Sequence, residues 1–147
     1  MICTLTVATG ALPPAIVAHS RDEAEFALAP RLPVALLSAP AAALSMGAPW
    51  WRALIASARA AHPETPAIDI LDCAASAGAA LAALRAGCRH LILAAETPAY
   101  DAVLAAAAAS AAVVLAARPP ALTLARGKRS PRAWAEITAW LMTGPAR

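Results

Sequence analysis

The chain has 147 residues, a length that fits one domain and that can bury roughly 70% of its unfolded surface without a disulfide or a metal. Apolar residues make up 61% of the sequence and charged residues 14%, which excludes an intrinsically disordered chain. The net charge of +3 is a mild bias, so a nucleic-acid partner is not expected.

Alanine occurs 46 times, so much of the apolar excess consists of small side chains that suit closely packed helices. The uncharged stretch 102–117 is shorter than the ~20 residues that a membrane-spanning helix needs. The longer stretch 32–51 is interrupted by Pro33, Pro40 and Pro49. We therefore predict a protein without a membrane partner.

The cysteines are Cys3, Cys73 and Cys88, and none of them forms a C-x-x-C pair. This odd count without close spacing predicts reduced, buried thiols in a cytoplasmic protein. No positive residue precedes an apolar run within residues 1–14, so a secretory signal is not expected.

Short, almost uninterrupted apolar runs predict five strands that are covered on both faces. These runs cover residues 15–19, 34–38, 68–71, 90–94 and 112–116. Residues 1–7 predict an additional edge strand. Because these runs are separated by alanine-rich segments, the strands are expected to be parallel.

The segments between the strands predict helices over 21–29, 49–61, 74–86, 98–110 and 131–142. Side chains that can cap a helix precede most of them, and Ser20 forms a capping box with Glu23. The other predicted caps are Asp72, Thr97 and Ser130. Gly87 is predicted to end the third helix.

This order predicts a single α/β domain over 1–147 with three layers. A mainly parallel, five-stranded sheet carries helices on both faces, and a doubly wound arrangement is the first choice. Residues 118–130 form a basic connector, and the C-terminal helix 131–142 packs on the apolar helices.

The helix predicted over 98–110 has no charged residue between Asp101 and Arg118. A surface helix keeps a polar face, so a second layer is expected to cover this one. The cover is either the C-terminal helix or a second copy of the protein, and we predict a homodimer. The predicted interface residues are Trp134, Ile137, Trp140 and Leu141.

Polar residues follow the predicted strands at their carboxyl ends, where open parallel sheets bind ligands. The predicted ligand-binding residues are Ser38, Ser45, Asp72, Cys73, Thr97 and Arg118. Candidate catalytic residues are His19, Asp72 and Glu96. Structural alternatives remain for these positions. Ser20, Asp72 and Thr97 are alternatively helix caps, and His19 is a rim histidine with its hydrogen bonds satisfied. Glu96 is alternatively a solvated loop carboxylate, and Arg118 the partner of a carboxylate.

Two further features concern single strands and loops. Asp69 lies inside an apolar strand, where a lone carboxylate is costly to bury. We favour an edge strand with Asp69 in solvent; the alternative is a buried partner.

The loop 39–48, which holds Ser45, leads into Trp50 and Trp51. One of these two tryptophans is expected to pack on the sheet.

Several signals are absent from the sequence. It contains no Gly-rich phosphate loop and no G-x-S-x-G motif, and no metal site or cofactor is predicted from the spacing of its histidines. The basic run 126–132 is interpreted as a solvated connector, with an anion contact as the alternative.

Residues 86–96, with Glu96 after an apolar strand, resemble a strand of sugar-phosphate-acting (β/α)8 barrels such as the pentulose-phosphate epimerases. Residues 113–120 resemble the next strand of those barrels. The chain is shorter than the at least ~200 residues that eight βα units take. The resemblance implies a shared βαβ architecture and no activity.

Three hypotheses for function follow. The first is a non-enzymatic α/β module that binds a partner protein or a small ligand and self-associates. The second is a small enzyme acting on a small anionic substrate at the carboxyl-end rim of the sheet, with His19 as acid or base, Asp72 or Glu96 as its carboxylate, and Arg118 steering the substrate. The third is an accessory subunit that docks through its C-terminal helix.

Overall fold

A sheet of six strands organises the computed structural model, which describes residues 11–125 and 129–145. The strands are β1 (Ala15–Val17), β2 (Val34–Leu37), β3 (Ala67–Asp72), β4 (His90–Ile92), β5 (Val113–Leu115) and β6 (Ala121–Thr123). The helices are α1 (Arg21–Leu28), α2 (Ala42–Ser45), α3 (Ala48–Ala61), α4 (Ala77–Arg85), α5 (Tyr100–Ala109) and α6 (Pro131–Thr143). The edge strand predicted over 1–7 lies outside the described residues.

The strand order is β5-β4-β3-β2-β1-β6, and the described registers are parallel. Every residue of β1, β2 and β3 is buried, which shows that both faces of these strands are covered. The predicted three-layer, parallel α/β class is therefore confirmed. None of the helices within the described ranges is long and apolar enough to cross a bilayer.

The prediction of five strands is wrong, because the structure has a sixth, β6, inside the predicted basic connector. β6 lies beside β1, and Ala121 is in register with Ala15. This strand was not predicted because it has only three residues and no helix separates it from β5. A rule based on the alternation of strands and helices does not detect such a strand.

The chain divides into two compact units. Unit 1 comprises Met1–Leu37, Ile55–Ile68 and Pro119–Arg147, and unit 2 comprises Ser38–Leu54 and Asp69–Arg118. The boundary between them falls within α3 and within β3.

In unit 1, one face of helix α6 packs against the rest of the unit. Ile137 and Leu141 are buried, and the indole N–H of Trp140 donates a hydrogen bond to the carbonyl oxygen of Ala15 at 2.8 Å. The ring centroid of Trp134 lies 5.8 Å from that of Phe26 in α1. The helix is therefore tied to β1 through a side chain and to α1 through an aromatic contact.

Two helices of unit 2 end in the same backbone motif. After α4, the N–H of Gly87 donates to the carbonyl of Leu84, and that of Cys88 donates to the carbonyl of Ala83. Gly87 has a φ of +91°, as this motif requires, which agrees with its predicted role. After α5, Ala111 takes the equivalent position with a φ of +52°. Alanine pays a steric cost in this left-handed conformation that glycine does not.

We predict that Ala111→Gly stabilises the protein by about 0.5–1 kcal/mol, because it removes this steric cost. The matched control is Ala105→Gly, at an exposed position inside α5, which should destabilise the protein by about 0.5–1 kcal/mol. Urea unfolding of both variants measures the two changes. Destabilisation by both substitutions to a similar extent would contradict the assignment of strain to Ala111.

Candidate functional site at the rim of unit 2

The carboxyl ends of the strands carry a buried ion pair in unit 2. Nη1 of Arg118 donates to Oδ2 of Asp72 at 2.6 Å, and its Nη2 donates to the carbonyl oxygen of Ser38 at 3.0 Å. The Asp72 side chain is 5% exposed and that of Arg118 is 28% exposed. The predicted alternative for Arg118, pairing with a carboxylate, is therefore what the geometry shows.

Ser38 joins the strand ends from inside. Its hydroxyl accepts a hydrogen bond from the N–H of Asp72 at 2.9 Å and donates to the carbonyl of Ala39 at 3.0 Å. Its own N–H donates to the carbonyl of Ile70. Because Ser38 is fully buried, it supports the rim and does not present its hydroxyl at the surface.

Asp72 is not the helix cap that the sequence predicted. Its Oδ1 accepts from the N–H of Ala74 at 2.8 Å, which closes a turn directly after β3. The N-cap of α4 is Ser76, whose hydroxyl accepts from the N–H of Ala79. Both carboxylate oxygens of Asp72 are thus used, one by the turn and one by Arg118.

The loops that follow β2, β3 and β4 in unit 2 each hold an alanine in the left-handed conformation. The φ angles are +56° at Ala41, +50° at Ala74 and +65° at Ala99. The N–H of Ala94, after β4, donates to the carbonyl of Ala74, so the second and third loops are joined. We call segments 38–41, 72–74 and 94–99, together with Arg118, the unit 2 rim. Strained backbone of this kind clusters at functional sites.

Thr97 does not cap α5 as predicted, because the N-cap residue is Ala99, which makes no side-chain capping bond. Thr97 is instead buried, at 5% exposure. Among the residues that the structure describes, its hydroxyl oxygen finds no hydrogen-bond partner. An unsatisfied buried hydroxyl costs free energy, so this position calls for a functional or structural explanation.

The other predicted residues of unit 2 differ in accessibility. Cys73 is fully buried, and burial raises the pKa of its thiol to about 12, so it remains protonated. Ser45 is exposed on α2, and Glu96 is exposed next to Thr97. Of the predicted ligand-binding set, the unit 2 rim therefore brings together Ser38, Asp72, Cys73, Thr97 and Arg118, and it leaves out Ser45.

His19 and Ser20 lie in unit 1. Nδ1 of His19 is 3.0 Å from the Glu23 carboxylate, which also accepts from the backbone N–H of His19 at 2.7 Å. Ser20 caps α1 by accepting from the N–H of Glu23, as predicted. The proposed pairing of His19 with Asp72 or Glu96 stays a prediction.

Asp69 has a buried partner, so the favoured interpretation of a solvated edge carboxylate is wrong. Asp69 is 8% exposed, and its Oδ2 accepts a hydrogen bond from the indole N–H of Trp51 at 3.2 Å. Trp51 is the tryptophan that packs inward, whereas Trp50 is half-buried. Burial raises the pKa of the Cys88 thiol to about 11, and Asp69 adds to that rise.

The predicted interface residues are divided between interior and surface. Ile137 and Leu141 are buried in unit 1 and Trp140 is half-buried, whereas Trp134 is 41% exposed. The large apolar residues of α6 that face solvent are therefore Trp134 and Met142.

Unit 1 contains a cleft of about 360 Å³ that the sequence did not reveal. It is lined by Ser20, Asp22, Glu23, Phe26, Leu124, Ala125 and Arg129. Arg129 approaches Oδ1 of Asp22 to 3.4 Å, which neutralises part of its lining. No pattern of residues in the sequence relates α1 to the chain after β6, so this cleft required the structure.

No group of three or more histidine, cysteine or acidic side chains that could hold a metal ion occurs in the described ranges. No protein-family model, curated protein or solved structure matches the chain. The candidate site therefore depends on geometry alone.

We predict that Thr97→Val raises the free energy of unfolding by about 1 kcal/mol, because it removes an unsatisfied buried hydroxyl while keeping the shape of the side chain. Thr65→Val is the matched control. Thr65 is equally buried, but its hydroxyl donates to the carbonyl of Leu28 at 2.8 Å, so this variant should lose about 1–2 kcal/mol. Urea unfolding measures both, and a change of the same sign in the two variants would refute the difference in hydrogen bonding.

Arg118→Gln is expected to lower the free energy of unfolding by about 3 kcal/mol, because it leaves the Asp72 carboxylate buried without its cation. Arg31→Gln removes the same charge from the pair with Glu64, whose side chains are 72% and 69% exposed. That control should change stability by less than about 0.5 kcal/mol. Thermal and urea denaturation of both variants test the prediction. Equal losses of unfolding free energy in the two variants would show that the burial of the Arg118–Asp72 pair does not add to its stabilising effect.

Proposed function

We propose that this protein is a non-enzymatic α/β module that binds a small polar ligand at the unit 2 rim and that it self-associates. The observation that carries the binding proposal is the buried Thr97 hydroxyl, which is unpartnered among the described residues. A ligand that supplies the missing hydrogen bond would recover the free energy that this group costs in its absence.

The backbone of the rim supports the same proposal. The loops with Ala41, Ala74 and Ala99 are held in strained conformations, and the loop with Ala74 bonds to Asp72 of the Arg118–Asp72 pair. Strain of about 1 kcal/mol or more at each position persists only where the surrounding structure fixes it. A rim fixed in this way loses little conformational entropy when a ligand binds.

The charges of the rim favour an uncharged ligand over the anionic substrate of the enzyme hypothesis. The only guanidinium of the rim, that of Arg118, is already paired with Asp72, and Glu96 adds a second carboxylate. An anion would meet more negative than positive charge there. We therefore propose a neutral molecule rich in hydroxyl or carbonyl groups, which can accept from Thr97 and from the exposed part of Arg118.

Self-association and location form the rest of the proposal. Helix α5 presents Ala102, Leu104 and Ala105 to solvent, with Leu104 38% exposed, and this apolar surface supports the proposed homodimer. The free, buried thiols of Cys73 and Cys88 are consistent with a cytoplasmic location. The exposed Trp134 and Met142 on α6 support docking of a partner protein, which stays a prediction.

The binding proposal is tested by thermal unfolding with a panel of sugars, polyols and nucleosides, alongside organic phosphates and carboxylates. We expect a neutral compound to stabilise the protein, by about 2.7 kcal/mol at a concentration 100 times its dissociation constant. Native mass spectrometry of the purified protein should detect the same class of molecule if it co-purifies.

Variants of Thr97 make this test specific. Thr97→Val should abolish stabilisation by the ligand, whereas Thr97→Ser, which keeps the hydroxyl, should retain most of it. Thr123→Val is the control at an exposed threonine of β6, and it should bind the ligand unchanged. If the ligand stabilises Thr97→Val as strongly as the wild type, or if only anions stabilise the protein, the proposal is wrong.

A further inference from the structure

Among the strands within residues 11–125 and 129–145, β5 lies at one end of the sheet order, and the direction of its outer backbone groups follows from its bonds to β4. The N–H of Val113 donates to the carbonyl of Arg89 at 2.7 Å, and the carbonyl of Leu115 accepts from the N–H of Leu93 at 3.0 Å. Successive residues of a strand point their backbone groups in opposite directions. The N–H and C=O of Val114 therefore point away from β4, at the end of the strand order where β5 lies.

The side chains around this edge offer no protection against pairing with another strand. Edge strands in soluble proteins usually carry a proline, or a charged residue such as lysine, that blocks such pairing. Residues 111–117 contain none of these, and Val113 is 45% exposed. On the adjoining α5, the exposed Leu104 extends the apolar surface.

We propose that β5 pairs antiparallel with β5 of a second copy of this chain, on a two-fold axis at Val114. This inference rests on the self-association proposed above and identifies the surface through which the two copies associate. In an antiparallel ladder, two opposed residues exchange both N–H···O=C bonds, so Val114 of each copy satisfies the free groups of the other.

The charge distribution favours a second copy over a different protein. The chain carries a net charge of +3, so two copies carry charge of the same sign. Residues 102–117 contain no charged residue, so like charges do not meet there. The same stretch offers no counter-charge to an acidic or a basic partner.

The small area of the proposed β5 interface indicates a weak dimer. A three-residue strand spans about 10 Å and the ten-residue α5 spans about 15 Å. The contact therefore buries on the order of a few hundred Å² per copy, below the ~800 Å² of a standard stable interface. The dimer is expected to be weak and to form at high micromolar concentration.

Sedimentation equilibrium of the full chain, from about 10 µM to about 1 mM, measures the dimer directly. Val114→Pro removes the outward N–H without touching a bond to β4, so it should retain the fold, checked by circular dichroism, and weaken the dimer at least tenfold. Val113→Lys places a charge on each copy beside the axis and should also weaken the dimer at least tenfold. Leu44→Lys, at a 57% exposed position on α2, adds the same charge and should leave the dissociation constant unchanged.

The outcomes separate the inference from the proposal on which it rests. A wild-type protein that remains monomeric at every concentration refutes self-association and the β5 pairing together. A wild-type dimer that Val114→Pro and Val113→Lys leave unchanged refutes the β5 pairing alone. If Val114→Pro does not fold, the dissociation constants of Val113→Lys and Leu44→Lys decide whether the β5 pairing is correct. Equal dissociation constants for these two variants refute it.

Discussion

The ion pair between Arg118 and Asp72 is the constraint on which the arrangement of unit 2 depends. Arg118 follows β5, whereas Asp72 ends β3 and Ser38 follows β2. One guanidinium thus fixes the exit of an edge strand to the ends of two strands farther along the sheet order. In a buried position each partner needs the other, because an unpaired charge there is far more costly than at the surface.

The alanine-rich composition has a consequence for the loops around this pair. The chain has 46 alanines and 6 glycines, so left-handed positions that glycine occupies without strain are filled by alanine at the rim. Alanine lowers the conformational entropy of the unfolded chain but adds steric cost to the folded loop. The loops keep their conformation because backbone and side-chain bonds, such as that from Ala74 to Asp72, hold them in place. The left-handed alanines therefore lower the stability of the folded loops.

Much of the fold could be predicted from the sequence, because apolar runs and alanine-rich segments differ clearly along this chain. The five predicted strands and five predicted helices are all present with shifted ends, whereas β6 and the short α2 were missed. The candidate site was predicted only in part. Strand ends gave the positions of Asp72 and Arg118, but the partner of a side chain depends on contacts between distant residues. The hydrogen bond from Trp51 to Asp69 and the isolation of the Thr97 hydroxyl therefore left no local signal.

The state of two titratable groups, Asp72 and Cys73, supports the proposal that the rim binds a ligand. General acid–base catalysis requires a group that can exchange a proton near neutral pH and that is free to reach the substrate. At the unit 2 rim, both oxygens of Asp72 are occupied by Ala74 and Arg118. Burial raises the pKa of Cys73 to about 12, so its thiol does not supply a thiolate nucleophile. Asp72 and Cys73 therefore support the proposed binding role of the rim over the enzyme hypothesis.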